Sequence, residues 1–188
     1  MKRTRVTCSV GFLLLAAGLI YLDGILLAVQ CLIACALHEA GHWAAAFLFG
    51  SRVCTLRITA VGAEMELDPS VSLSYVQDAL IAFAGPGINL LAACAAIRAG
   101  WYLFAGFNIC FGIFNLLPVL PLDGGRILSD VLSIRWPLAS DRILHGFSIV
   151  ISGVLLGLGW AAWREWGNAS LLCTSAWIML GALKQNFR

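Results

Sequence analysis

The sequence predicts an all-α polytopic membrane protein: about six transmembrane helices, with a short β-hairpin between the second and the third. Three observations predict it. Of 188 residues, 61% are hydrophobic and only 12% are charged, against about 25% charged in a typical soluble domain. The apolar residues gather into six segments, each near the roughly 20 residues that cross a bilayer. The basic residues fall unequally on alternate connections, as the positive-inside rule requires.

The first segment, residues 6–22, follows Lys2, Arg3 and Arg5 and begins like a signal peptide. No small-x-small cleavage site closes it; Ile20-Tyr21-Leu22-Asp23 stands there instead, so an uncleaved first helix is expected. The second segment is 24–49. Between 51 and 68 the pattern changes: Leu56 and Ile58 alternate with Arg57 and Thr59, and Met65 and Leu67 with Glu64, Glu66 and Asp68. With Gly62 between the runs, this reads as a two-stranded hairpin rather than a plain polar connector. The remaining helices are expected at 79–97, 101–120, 143–163 and 169–183, in a single domain covering 1–188.

A cytoplasmic N-terminus puts Lys2, Arg3, Arg5, Arg52, Arg57, Arg126, Arg135, Arg142, Lys184 and Arg188 inside and only Arg98 and Arg164 outside. That division favours an even helix count with both termini cytoplasmic and the hairpin on the cytoplasmic side. Tyr21, Trp101, Tyr102, Trp163 and Trp166 would form an outer aromatic belt. A net charge of +2 without a basic run excludes nucleic acid as a partner.

Seven cysteines, an odd number with no C-x-x-C pair, read as small apolar fillers rather than a disulfide framework. Gly153 and Gly157 form one G-x-x-x-G, a weak packing signal. Asn168-Ala-Ser170 matches a glycosylation acceptor but lies close to the membrane.

The chemistry is concentrated in His38-Glu39-Ala40-Gly41-His42, inside the second apolar segment. Histidines four apart share a helix face and can grip one zinc ion, and the adjacent glutamate can act as general base of a metalloprotease. Titratable side chains in hydrocarbon are costly and are seldom idle. A catalytic zinc takes three protein ligands and keeps an open position for water. Candidates for the third are His145, the one remaining histidine, and Asp123. Asp123 lies in Asn115-Leu-Leu-Pro118-Val-Leu-Pro121-Leu-Asp123-Gly124-Gly125-Arg126. There two prolines break the hydrogen-bond ladder and two glycines allow irregular backbone. Such backbone persists at membrane depth only beside protein or a water-filled cavity. A plain helix-end cap is the bland alternative for Asp123. His145, near Arg142, reads better as an interfacial residue, and Arg126 as one that reaches for the headgroups. Cys31 and Cys35 share a stripe with His38 and His42 and read as packing.

The H-E-x-x-H at 38–42, Gly85-Pro86-Gly87-Ile88-Asn89 and the Asn-x-x-Pro-x-x-Pro-Leu-Asp-Gly-Gly run at 115–125 together resemble the site-2 protease family of intramembrane zinc metalloproteases. The compact form is similar to the bacterial subgroup that contains the sporulation pro-sigma-factor processing protease. The resemblance implies one zinc per chain held by His38, His42 and Asp123, with Glu39 moving protons during catalysis. It implies that Asn89 and Asn115 hold substrate or the tetrahedral intermediate; the bland alternative for both is interhelical hydrogen bonding. It implies a membrane-tethered protein substrate that unwinds and adds a strand to the hairpin, in a bacterial cell membrane. A regulatory membrane partner and an oligomer are compatible with it. The length leaves no room for a PDZ or nucleotide-sensing domain. The competing class is a non-enzymatic metal-binding membrane protein, a transporter or a silent relative, which would need the ligands but not Glu39.

Overall fold

The chain begins as a strand. The structure, a computed structural model, describes residues 4–60, 62–167 and 169–184; Lys2, Arg3, Asn168 and Arg188, which figured in the expected topology and glycosylation, lie outside it. Strand β1, Arg5–Cys8, takes the first residues expected to be helical. Its β-branched Val6 and Thr7 suit a pleated surface, and β1 pairs in parallel with β2, Val53–Thr59. Ser9 then starts α1, Val10–Asp23, by accepting the Phe12 amide on its hydroxyl at 3.2 Å.

Gly24, at φ 86°, makes the tight corner into α2, Ile25–Leu48. The hairpin follows: β2 runs antiparallel to β3, Gly62–Leu67, giving the sheet order β1-β2-β3. Leu56 faces Met65 and Arg57 faces Glu64, so the alternation read from sequence sets the register. Because β1 and β2 are parallel, α1 leaves the sheet and α2 returns to it. The sheet and the N-terminal strand therefore share one end of the molecule.

Helix α3, Tyr75–Arg98, opens with a Ser74–Gln77 capping box. Helix α4, Tyr102–Asn115, ends earlier than the expected 120, because Pro118 and Pro121 cannot supply helix amides. An irregular stretch leads into α5, Asp123–Arg135, a helix additional to the six expected. Helices α6, Ser140–Trp166, and α7, Ser170–Lys184, pack on each other at the C-terminal end.

By length and composition α2, α3 and α6 can each cross a membrane; α1, α4 and α7 are shorter apolar helices. The packing is inverted relative to a soluble protein. Helix α2 buries Ala28, Ala34, His38, Gly41, His42 and Ala46, while Leu26, Ile33, Trp43 and Phe47 face outward. Small and polar residues let helices approach and bond one another, and large apolar ones meet lipid. A larger-residue core of Val119, Leu122 and Ile178 anchors the irregular stretch against α7.

Candidate metal centre

His38 and His42 lie one turn apart on the buried face of α2. Each ring is fixed from behind through Nδ1. His42 Nδ1 donates to the Ile81 carbonyl at 2.8 Å, and His38 Nδ1 to Asn89 Oδ1 at 2.7 Å. Both acceptors come from α3, where Pro86 denies the Ala82 carbonyl its usual amide. Gly85 makes the close approach feasible: a Cβ there would collide with the His42 ring. Gly41 does the same from α2, where a Cβ would lie 2.5 Å from the Ala84 oxygen.

With both Nδ1 protons directed backward, the two Nε2 atoms face each other at 3.1 Å. Asp123 Oδ2 completes the triangle, 3.0 Å from His38 Nε2 and 3.3 Å from His42 Nε2. All three residues are buried. Three lone-pair donors this close repel unless a cation lies among them. Tetrahedral zinc with ligands at about 2.0–2.1 Å separates neighbouring donors by roughly 3.3 Å, so the donor set and spacing fit such an ion.

Asp123 reaches the histidines because of what precedes it. The 116–122 backbone folds over the first turn of α5, and Gly124 and Gly125 lie against it. A Cβ on Gly124 would strike the Leu116 oxygen, and one on Gly125 would lie 2.5 Å from the Val119 carbonyl carbon. Arg126, expected at the headgroups, instead binds Asp78 of α3 at 3.1 Å, with its other nitrogen 4.0 Å from Asp123 Oδ1. Glu39, half-buried, follows His38 directly.

Asn89 is fully buried behind His38. Its amide nitrogen donates to the Ala34 carbonyl at 3.0 Å and to Asn108 Oδ1 at 2.8 Å, so no amide hydrogen remains for a substrate. Asn115 Nδ2 donates to Phe111 of its own helix at 3.0 Å. His145 lies in the second turn of α6, outside the converging group, and the seven cysteines are free. Asn108 was not singled out by sequence: a lone asparagine in an apolar helix carries no pattern, although its cost there is the signal that could have found it.

Residues 92–158 match Peptidase family M50, a segment containing Asn108 and Asp123. The chain is 29% identical over 156 residues to Stage IV sporulation protein FB of Bacillus subtilis, covering 78% of this chain and 54% of that protein. It is 24% identical over 163 residues to a zinc metalloprotease of Methanocaldococcus jannaschii, covering 80% of this chain and 46% of that protein. The solved structure of a site-2 protease from Methanocaldococcus jannaschii superposes with a TM-score of 0.72 at 22% identity, covering 98% of this chain and 92% of that chain. The chain shares the fold of that site-2 protease.

The chain spans about half the length of the two proteins matched by sequence. The shared fold covers nearly the whole chain.

Proposed function

We propose that the protein is an intramembrane zinc metalloendopeptidase that hydrolyses a peptide bond in or beside the transmembrane segment of a membrane-tethered protein. The convergence of His38 Nε2, His42 Nε2 and Asp123 Oδ2, buried among apolar helices, carries this reading. Bound by those three residues, zinc supplies a Lewis acid that brings the pKa of water to about 7 and polarises a carbonyl. Glu39 takes the proton from the attacking water and returns it to the leaving amine. Gly85 and Gly41 keep His42 in place, and Asn89 and Ile81 keep both rings turned toward the centre. A helical substrate has every carbonyl hydrogen-bonded, so it must unwind before attack. The edge strand β3 offers a partner for the unwound segment.

The same reading places the protein in a bacterial cell membrane, with six crossings by α1, α2, α3, α4, α6 and α7 and both termini cytoplasmic. The distribution of arginine and lysine supports that orientation.

The deciding experiment is Glu39→Gln in purified, reconstituted protein with a membrane-anchored substrate. Zinc content is expected to be retained while turnover falls by about 10²–10⁴-fold, the range for loss of a general base. Normal cleavage by this variant would end the assignment. Zinc exchange with the substrate left intact by the native chain would favour the non-enzymatic alternative.

A further inference from the structure

We infer that Asn108 on α4 is a positioning residue that sets the tautomer of His38 through Asn89. The inference rests on the proposed metal centre and adds a residue that contacts neither a ligand nor substrate. Asn108 and Asn89 are both fully buried, on neighbouring helices.

The hydrogen bonds run in one direction. Asn108 Nδ2 donates to the Phe104 carbonyl at 2.9 Å, one turn back, which leaves Oδ1 pointing at Asn89. Asn89 Nδ2 donates to that Oδ1 at 2.8 Å and to the Ala34 carbonyl at 3.0 Å. With both amide hydrogens committed, Asn89 can present only Oδ1 to His38. His38 Nδ1, 2.7 Å away, must then carry the proton, and Nε2 keeps its lone pair toward His42 and Asp123. Every donor in the chain points away from the centre.

Without the Asn108 oxygen, only Ala34 holds the Asn89 amide. The amide can then turn over and offer N–H to Nδ1. That moves the imidazole proton to Nε2 and blocks the ligand atom. Partners of metal-bound histidines typically change metal affinity by about 10–100-fold when lost.

The test uses the full chain in nanodiscs, free of metal, with ¹⁵N-labelled histidine. Only three histidines are present, so His38 is assigned by substituting the other two. The native protein is expected to show His38 in one tautomer, protonated at Nδ1. Asn108→Leu is expected to show a mixture of tautomers and about tenfold weaker zinc binding by chelator competition. Should that variant not fold, Asn108→Thr serves, since its hydroxyl can satisfy the Phe104 carbonyl within the helix yet falls short of Asn89. Asn108→Asp, whose protonated carboxyl offers one donor and one acceptor, is expected to restore both readouts. A single Nδ1-protonated tautomer in a folded Leu or Thr variant overturns the inference. Because the tautomer is read without turnover, this outcome is independent of whether Glu39→Gln abolishes cleavage.

Discussion

At the scale of single residues, spacing announced the converging side chains and packing concealed their supports. His38, Glu39 and His42 are legible because helical periodicity alone puts the two imidazoles on one face. Asp123 is legible because a carboxylate after two prolines at membrane depth needs a reason. Sequence could not reveal why His42 has room. The glycine at 85 looks like one more small residue of a helix interface, yet a Cβ there would occupy the space of the imidazole. Gly85→Ala is therefore expected to push His42 from the Ile81 carbonyl and weaken zinc binding by at least about tenfold, comparable to losing a partner that orients a ligand. Chelator competition on the folded variant measures it, and unchanged affinity would show that the ring can relax. Asp123→Ala, which removes a ligand outright, should leave a chain that loses its zinc on gel filtration in the presence of a mild chelator. Asn115 was legible as a motif position, not as a packing one. It opens the most conspicuous motif of the sequence, yet its amide nitrogen bonds to Phe111 of its own helix.

At the scale of elements, the long apolar helices and the hairpin were readable, whereas β1 and α5 were not. Four residues are too few for an alternating pattern, and β1 is a strand because β2 offers it a parallel edge 50 positions away, with Thr4 bonded to the Val53 carbonyl. Helix α5 carries Arg126, Asp130 and Arg135 among its apolar residues, so a search for bilayer-length apolar runs passes over it. Its polar groups have consequences of their own. Asp130 is 8% exposed, and its Oδ2 has no hydrogen-bond partner among the described residues. Burial, reinforced by the nearby Asp78 and opposed by Arg126, raises its carboxyl from an ordinary 3.8 to about 6. A folded-state pKa above the unfolded one means the fold favours the protonated acid. The stabilisation is complete below about pH 4 and is lost as pH rises through about 6. Thermal unfolding in detergent should thus show a Tm contribution that declines between those values, and Asp130→Asn should flatten it and raise the Tm at pH 7. An unaltered slope in the variant would assign the pH dependence to other groups.

At the scale of the whole molecule, the parallel β1–β2 pair does what the charge count could only suggest: it ties the N-terminal strand and the hairpin to the same end of the α1–α2 pair. Arg5, Arg52 and Arg57 then share a side whichever way the protein faces. By the positive-inside rule, the proposed topology puts that side in the cytoplasm. The short link is α4. Its 14 residues reach only about 21 Å at 1.5 Å each, against a hydrocarbon core of about 30 Å. If α4 still crosses, the irregular 116–122 stretch must cover part of the remaining depth, sheltered by Val119, Leu122 and Ile178. Reporter fusions that are active only outside the cytoplasm, made after Gly50, Gly100, Leu138 and Gly167, separate these cases. The six-crossing topology predicts activity after Gly100 and Gly167 and silence after Gly50 and Leu138. Activity after Leu138 would mean that α4 turns back without crossing, leaving Asp123 approaching the histidines from the far side. Activity after Gly50 with silence after Gly100 would reverse the orientation and open the centre to the exterior.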